Sequence, residues 1–311
     1  MIPLIVIEGP TAAGKSRLAL QLAERLGNEI ISADSRQIYR YMDIGTAKPT
    51  IKERKRVVHH LIDIIEPWQE YSAGQFACDA AAIIRELQAE RKVPIVCGGT
   101  GFYIKALLEG LFEVPKIPTQ IRDDLKELEE NKGTDYLYNM LKQVDPLSAE
   151  RVHPNDSYRI KRALEVWIAT GKGIGKHWEE QKSPIRKFNP FRIMVNEERE
   201  LLYERINKRI DKMIDKGLID EIRFLLEMGY KQDDPGMNSV GYREFIPFIR
   251  KNASFLSCLE EAKQNSRNYA KRQFTWYRKT NFDLVIESNY DITRLSEKIK
   301  NYLEKSDKSL S

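Results

Sequence analysis

Eight residues near the amino terminus, Gly9-Pro10-Thr11-Ala12-Ala13-Gly14-Lys15-Ser16, carry the pattern G-x-x-x-x-G-K-[ST]. The chemistry it suits is anion binding. Successive backbone N–H groups at a helix start converge on a phosphate, and glycines let the chain come close to it. Lys15 adds a mobile positive charge, and the Ser16 hydroxyl can ligate Mg²⁺. Such a pattern has force only between a strand and a helix. Both are signalled here: the apolar run Ile2–Ile7 precedes it, and Arg17–Leu26 has apolar residues at helical spacing. A di- or triphosphate ester is the expected ligand.

Asp34 is the second residue with chemical potential. It follows the short apolar run Glu29–Ala33 and precedes Ser35-Arg36-Gln37. In parallel α/β sheets, ligands lie beyond the carboxyl ends of the strands, so Asp34 and Lys15 are expected to share one crevice. The carboxylate then has three readings: a metal ligand, a general base for an acceptor nucleophile, or a helix cap. A third strand, Val93–Cys97, ends in Gly98-Gly99-Thr100-Gly101. Many phosphate-loop kinases place a Mg²⁺-binding Asp at such a strand end. Here glycines admit a ligand and Thr100 offers a hydroxyl.

The elements that must position these residues alternate between strand and helix. Ser72–Arg91 and Phe102–Leu111 read as helices, with Ser72 as an N-cap. Met42–Arg56, with Gly45, Pro49 and a basic run, reads as a surface segment. His59-His60 precede an expected strand, Leu61–Ile65, and read as structural. The proline-broken stretch Val114–Pro118 marks a boundary. Charged helices follow at Ile121–Lys132, Asp135–Val144, Ser148–Val152 and Asp156–Thr170, with a basic edge of Arg151, Arg159, Lys161 and Arg162. Strand returns at Phe191–Val195, then a helical hairpin over Glu198–Met228 broken near Gly217, and a turn at Met237–Glu244. A long helix over Glu260–Lys279, a strand at Leu284–Ile286 and a helix over Asp291–Leu303 close the chain, with a frayed tail beyond Glu304. The expected organisation is a sheet core over 1–115 and 190–311, interrupted by an all-helical insertion over 116–189.

Lys263–Lys279 contains six basic residues and no acid, with Arg267, Lys271 and Arg278 on one stripe and Tyr269, Phe274, Trp276 and Tyr277 among them. Cations beside aromatics suit a nucleic-acid backbone with stacked bases. The same aromatics equally suit the helix's core face.

Composition sets outer bounds. The 311 residues have 41% apolar and 31% charged content, which describes an ordinary globular protein, and a net charge of +5 permits nucleic-acid binding without requiring it. Cys78, Cys97 and Cys258 form no C-x-x-C pair, which suits a reducing, cytoplasmic setting and argues against a cysteine zinc site. No apolar run is long enough to span a bilayer.

Several blocks together resemble the tRNA dimethylallyltransferases, over Ile5 to about Lys279. They are Gly9–Ser16, Asp34–Tyr39, Asp43–Pro49, His59–Asp63, Tyr71–Gly74, Gly98–Tyr103, His153–Asp156, Arg159–Val166, Val240–Arg243 and Tyr269–Gln273. Departures are small: Ala13, Cys97, Phe102 and Asn238 stand where Ser, Val, Leu and Gln are frequent in the family. The resemblance implies a P-loop NTPase-like parallel sheet flanked by helices, with an all-helical insertion domain. It implies transfer of a dimethylallyl group from its diphosphate to N6 of the adenine beside the anticodon, in tRNAs reading codons that begin with U. Residues Gly9, Pro10, Thr11, Ala12, Ala13, Gly14, Lys15 and Ser16 would hold the diphosphate, with Mg²⁺ on Ser16. Asp34 would be the general base, Thr100 would orient the reactants, and Lys15 would stabilise the leaving group. Contacts to the tRNA anticodon stem-loop are implied at Asp34, Ser35, Arg36, Gln37, Thr100, Arg122, Tyr158, Arg159, Ile160, Lys161, Arg162, Val240, Gly241, Tyr242, Arg243, Arg267 and Lys271. Arg122 is implied at either the tRNA or the diphosphate. A monomer is the simplest expectation. Two other classes compete: a small-molecule or nucleoside kinase, supported by the loop alone, and an RNA-binding NTPase switch without a transferred group.

Overall fold

The apolar run at the amino terminus becomes an interior strand with both faces covered. In the computed structural model, which describes residues 2–111, 117–180 and 188–308, β1 (Ile2–Glu8) lies between two parallel neighbours. Its residues from Leu4 onward are buried, and they alternate between cores: Ile5 and Ile7 face one apolar cluster, Leu4 and Val6 the other. Two-sided burial is why this strand reads as continuous apolar sequence rather than as an alternation.

The chain then runs through α1 (Lys15–Leu26), β2 (Ile30–Ser32), α2 (Ile51–Arg56), β3 (His59–His60), α3 (Ala73–Ala89), β4 (Ile95–Cys97) and α4 (Gly101–Glu109). Five helices follow: α5 (Thr119–Lys132), α6 (Thr134–Val144), α7 (Pro146–Ala149), α8 (Ser157–Thr170) and α9 (Ile174–Glu180). The remainder holds β5 (Phe188–Val195), α10 (Arg199–Asp215), α11 (Leu218–Glu227), α12 (Ile246–Ile249), α13 (Phe255–Tyr277), β6 (Leu284–Ile286) and α14 (Ile292–Lys308). The six strands are parallel, in the order β3-β2-β4-β1-β5-β6. β1 and β5 pair over the full length of β1, from Ile2–Phe188 to Glu8–Met194.

Met1–Leu108 with Arg186–Ser311 forms one compact unit, and Glu109–Ile185 forms another. In the sheet unit, α1, α10, α13 and α14 cover one face, while Phe76, Ala80 and Ile84 of α3 and Ile104 and Leu107 of α4 cover the other. A further cluster joins Ile38, Tyr39 and Met42 to Ile210, Leu218, Ile222 and Tyr242. The helical unit closes on its own core of Leu137, Leu141, Ile160, Ala163, Leu164 and Val166.

Some expectations are corrected. The edge strand is His59–His60 itself. Leu61 and Asp63 have φ of 60° and 59°, so the chain turns there instead of extending. Both histidines have local partners, His59 at the Val57 carbonyl (2.8 Å) and His60 at Glu29 (2.7 Å). The segment from Met42 is not all surface: Met42 and Lys48 are buried. Lys48 is tolerated inside because its ammonium donates to the Tyr39 carbonyl (2.6 Å), Asp43 (2.8 Å) and Asp63 (2.5 Å). The last helix continues through Lys308, beyond the expected fraying point, because Ile299, Tyr302 and Leu303 anchor it to the core. Of the boundary expected at 114–118, only Ile117 and Pro118 belong to the described residues.

The end of β1 carries a buried ion pair. Glu8 is fully buried, and its Oε2 accepts from Nε (2.9 Å) and Nη2 (2.7 Å) of Arg192 on β5. Its Oε1 has no hydrogen-bond partner among the described residues. Burial raises the Glu8 carboxyl above its usual range, against the lowering pull of Arg192. Removing one member of such a pair strands a buried charge, at a cost of about 3–5 kcal/mol. We therefore expect Arg192→Met to lower unfolding stability by that amount in urea titrations, and the double change Glu8→Leu with Arg192→Met to recover most of it.

Candidate active site

Three loops meet at the carboxyl ends of β1, β2 and β4, and close backbone approach brings them together. Gly9 has φ 145°, and a Cβ there would lie 2.3 Å from the Val195 carbonyl oxygen. At Gly98 a Cβ would lie 2.0 Å from the Ala33 carbonyl. Only glycine allows either approach. The Gly98 N–H donates to Ile7 (3.1 Å), and the Thr100 N–H donates to Ala33 (3.2 Å), which locks the Gly98–Gly101 loop to both neighbouring strands.

Helix α13 braces this assembly from far along the chain. Gln273 is buried; its Oε1 accepts the Thr11 N–H (2.8 Å) and its Nε2 donates to the Gly99 carbonyl (2.9 Å). One turn later the Tyr277 hydroxyl donates to Gly9 (3.2 Å) and reaches Gly99 (3.4 Å). Ala262, Ser266, Ala270, Gln273 and Tyr277 form one buried stripe at helical spacing, so the helix turns a single face to the loops.

Lys15 follows the loop as the first residue of α1, and its ammonium donates to the Pro10 carbonyl (2.6 Å). Removal from water pulls its pKa down to about 8, opposed by Cys97 and Asp34 and aided by Arg209. The adjoining Cys97 thiol is pushed up to about 12, chiefly by burial, and is not a thiolate nucleophile.

Asp34 carries out one of its three possible tasks through a single oxygen. Oδ1 accepts the N–H groups of Arg36 (2.8 Å) and Gln37 (3.4 Å) and so caps the turn after β2. Oδ2 takes no hydrogen bond from the described residues. Beside it, Thr100 Oγ1 accepts the Ser35 N–H (3.0 Å) and lies 3.3 Å from the Ser35 hydroxyl. A fixed carboxylate, a fixed hydroxyl and a desolvated cation therefore share the crevice.

The structure gives places at the site to Arg209 and Gln273, which the sequence reading left without a role, and to Tyr269 and Tyr277, which it read as stacking or core aromatics. Arg209 on α10 is partly buried and makes no hydrogen bond or ion pair among the described residues; burial lowers its pKa, and Asp34 is the charge that opposes this. Its signal is an arginine beside the buried positions Ile206, Ile210 and Met213. Tyr269 hydrogen-bonds Thr100, and its phenol is pushed up to about 12 by burial first and then by Asp34. Gln273 ends the block Tyr269–Gln273, and Tyr277 lies one helical turn beyond it.

Expected RNA contacts divide. Arg36 is exposed and donates to the Pro235 carbonyl (2.9 Å), and Lys271 is exposed. Arg267 is engaged by Asn207 of α10 (2.6 Å) and by Gln264 (2.7 Å), as an interhelix tie. The aromatics of α13 are mostly structural: Phe274 packs on the core, and Trp276 meets Phe102 edge-on with ring centroids 6.4 Å apart. Tyr242 is fully buried, with its hydroxyl bonded to Glu221 (2.5 Å) and to the Gly45 N–H (3.1 Å), so its side chain cannot touch RNA. Gly241 is buried beside it and donates to Glu244 (2.8 Å), while Val240 and Arg243 are partly exposed. In the helical unit Ile160 is fully buried and belongs to the core. Tyr158 there is 78% exposed. Arg159, Lys161 and Arg162 each face an acid, at Asp156 (3.4 Å), Glu129 (2.5 Å) and Glu165 (2.9 Å), and Arg122 lies 3.8 Å from Glu165.

Comparison with known proteins gives a consistent result. Residues 37–280 match the family model described as IPP transferase, and residues 2–63 the one described as isopentenyl transferase. The chain is 43% identical over 301 residues to a Thermotoga maritima protein named tRNA dimethylallyltransferase, with 96% of each chain covered. Its fold is similar to a crystal structure of the tRNA isopentenylpyrophosphate transferase of Bacillus halodurans, at TM-score 0.71 and 35% identity with 99% of each chain covered. It is also similar to a eukaryotic dimethylallyltransferase acting on tRNA, at TM-score 0.77 and 31% identity, over 89% of this chain and 70% of that one.

A lysine with a lowered pKa binds anions best while protonated. Affinity for inorganic pyrophosphate should therefore fall as pH rises through about 8, where the Lys15 ammonium is lost. Calorimetric titrations across that range should show the step in the parent protein and its absence in Lys15→Ala.

Proposed function

The chain belongs to the tRNA dimethylallyltransferase family, and on that premise we propose that it moves a dimethylallyl group from dimethylallyl diphosphate to N6 of the adenine beside the anticodon, in tRNAs reading codons that begin with U. The observation that carries this reading is the placement of Asp34 and Thr100 beside Lys15 at one crevice. A phosphate loop alone would serve a kinase equally well; a base and a hydroxyl fixed for a weakly nucleophilic amine favour alkyl transfer.

In the proposed reaction the adenine N6 attacks the allylic carbon as its bond to the diphosphate oxygen breaks. The electron pair of the C–O bond leaves with the diphosphate. Lys15, the loop N–H groups and Arg209 stabilise that departing charge in a site screened from water. Asp34 Oδ2 takes the proton that N6 loses, while Thr100, held by Ser35 and Tyr269, orients the amine. The products are N6-dimethylallyladenine, diphosphate and protonated Asp34. Ser16 would offer Mg²⁺ one hard hydroxyl oxygen. Mg²⁺ bound there would neutralise diphosphate oxygens while keeping water in its shell. A cavity of about 110 Å³ adjoins the loop at Ser16 and Cys97; its wall is mixed, with Leu20 and Ile30 beside Ser32, Lys48, Glu53 and His59.

The target base has to leave its stack to reach this crevice, which favours a loop nucleotide over a paired one. No helix among the described residues is long and apolar enough to cross a membrane.

The reading is tested by incubating unmodified tRNA with the protein, Mg²⁺ and dimethylallyl diphosphate, then analysing nucleosides by mass spectrometry. A single dimethylallyl addition on adenosine is expected; ATP in place of the donor should give no phosphorylated product, and its appearance would favour a kinase. Asp34→Asn keeps size and the turn-capping oxygen but removes the base. Its single-turnover rate should drop about 10²–10⁴-fold with both substrates still bound. If Asp34 held the metal instead, donor affinity would fall and added Mg²⁺ would restore the rate.

A further inference from the structure

The backbone of Asp43, Ile44 and Gly45 is held by one carboxylate from a helix far along the chain. Glu221 Oε2 accepts the N–H groups of Asp43 (3.0 Å) and Ile44 (2.8 Å), and its Oε1 accepts that of Gly45 (3.2 Å). The Tyr242 hydroxyl donates to the same Oε1 (2.5 Å) and accepts the Gly45 N–H (3.1 Å). Burial, and then the Glu221 charge, push that phenol well above its usual pKa, so it stays a neutral donor. A Cβ at Gly45 would lie 2.3 Å from the Tyr242 ring, which leaves no room for a side chain there. Glu221 reaches the loop because it shares the inward face of α11 with the buried Leu218, Ile222 and Leu225.

The next two residues of this loop hold a group from the turn at Asp34. Gln37 Nε2 donates to the carbonyls of Thr46 (3.3 Å) and Ala47 (3.2 Å), which occupies both amide protons and fixes which way the amide points. Its Oε1 accepts the Ser32 hydroxyl (3.0 Å). Ser32 ends β2 two residues before Asp34, and the Gln37 N–H meets Asp34 Oδ1 (3.4 Å) from three residues after it. Gln37 thus closes the turn around Asp34, and the loop that Glu221 holds sets where Gln37 stands. Gln37 and Ala47 also line the cavity beside Ser16.

We propose that Glu221 is a positioning residue for the transfer reaction: by fixing residues 43–47 it orients Gln37, and through Gln37 the turn that carries Asp34. The inference rests on the transferase reading above. A carboxylate with a structural task alone would satisfy the loop N–H groups and end there, whereas the Gln37 amide continues the contacts from α11 to the crevice. Glu221→Gln replaces one acceptor oxygen with a donor that faces N–H groups, so the loop has to shift.

The test follows single-turnover transfer of dimethylallyl to an unmodified anticodon stem-loop RNA by the full chain, with RNA binding measured by anisotropy. At saturating substrates Glu221→Gln should slow transfer roughly 10- to 100-fold, the scale of a displacement of about 1 Å, while RNA affinity stays within about threefold. Gln37→Ala should slow it comparably. The double variant separates the two roles. Residues that act through one another lose their effects together, so beside Gln37→Ala the Glu221→Gln change should slow transfer by no more than about threefold. Tyr242→Phe leaves the carboxylate in place and keeps the comparison readable if Glu221→Gln does not fold. It should slow the parent roughly 2- to 10-fold, the worth of one hydrogen bond, and leave the Gln37→Ala rate unchanged. Asp220→Asn, on the same turn of α11 but paired with Arg223, should transfer at the parent rate. Losses that multiply in the double variants, or parent rates in both Glu221→Gln and Tyr242→Phe, would overturn the assignment. Absence of transfer by the parent protein would instead refute the reading on which it rests.

Discussion

The hydrogen bonds from Gln273 to Thr11 and Gly99 join the two loops of this site through a single side chain. An amide is suited to the task because it presents an acceptor and two donors at one rigid end. Tyr277 repeats the connection to Gly9 and Gly99 one turn later. The residues joined are more than 170 positions apart in the chain. If this brace loosened, the phosphate loop and the Thr100 loop would still exist as local structures, but their spacing would be set by weaker contacts. A misplacement of about 1 Å is enough to cost a large factor in an oriented reaction. Helix α13 thus belongs to the loop assembly of the candidate site, although its basic residues suggest an RNA-facing element.

Around that brace, the sheet unit concentrates charge where water is scarce. Lys15 and Arg209 are both held with lowered pKa values by burial, and Asp34 is the carboxylate that offsets each of them. Such an arrangement is costly for folding and favourable for binding a polyanion, whose arrival would compensate two desolvated cations at once. Preorganised charge of this kind is what stabilises a leaving diphosphate without rearrangement. At the carboxyl end of β1, directly before Gly9, Glu8 and Arg192 make an internal pair in which one carboxylate oxygen has no partner among the described residues. Buried ionic groups here therefore fall into two kinds: those closed on each other and those left open to a ligand.

Cations elsewhere show how incompletely charge composition predicts contact. Lys48 sits among a basic run and is buried between two aspartates, Arg267 ties α13 to α10, and the basic edge of the helical unit is shadowed by Glu129, Asp156 and Glu165. Ile160 and Tyr242, each in a block shared with the family, serve packing. A shared block marks a constraint, and the constraint is sometimes structural.

The sequence by itself determined the parts whose information is local. The phosphate loop was legible because a strand, two glycines, Lys15 and Ser16 stand within one contiguous stretch, and the helices and most strands because apolar periodicity is a short-range signal. Asp34 and Thr100 were legible because each follows a strand end, and a parallel sheet sends those ends to one edge. The tertiary structure decided what depends on distance through space: that an Asp34 oxygen caps its turn, that Arg209 and Tyr269 come within reach of its charge, and that Gln273 closes the loops. It also decided that His59–His60 pairs as the edge strand where Leu61 and Asp63 turn, since left-handed backbone at non-glycine residues is imposed by surroundings rather than announced by residue type. Side-chain fate along an amphipathic helix follows from which face meets which neighbour, and that choice is made only when the elements pack.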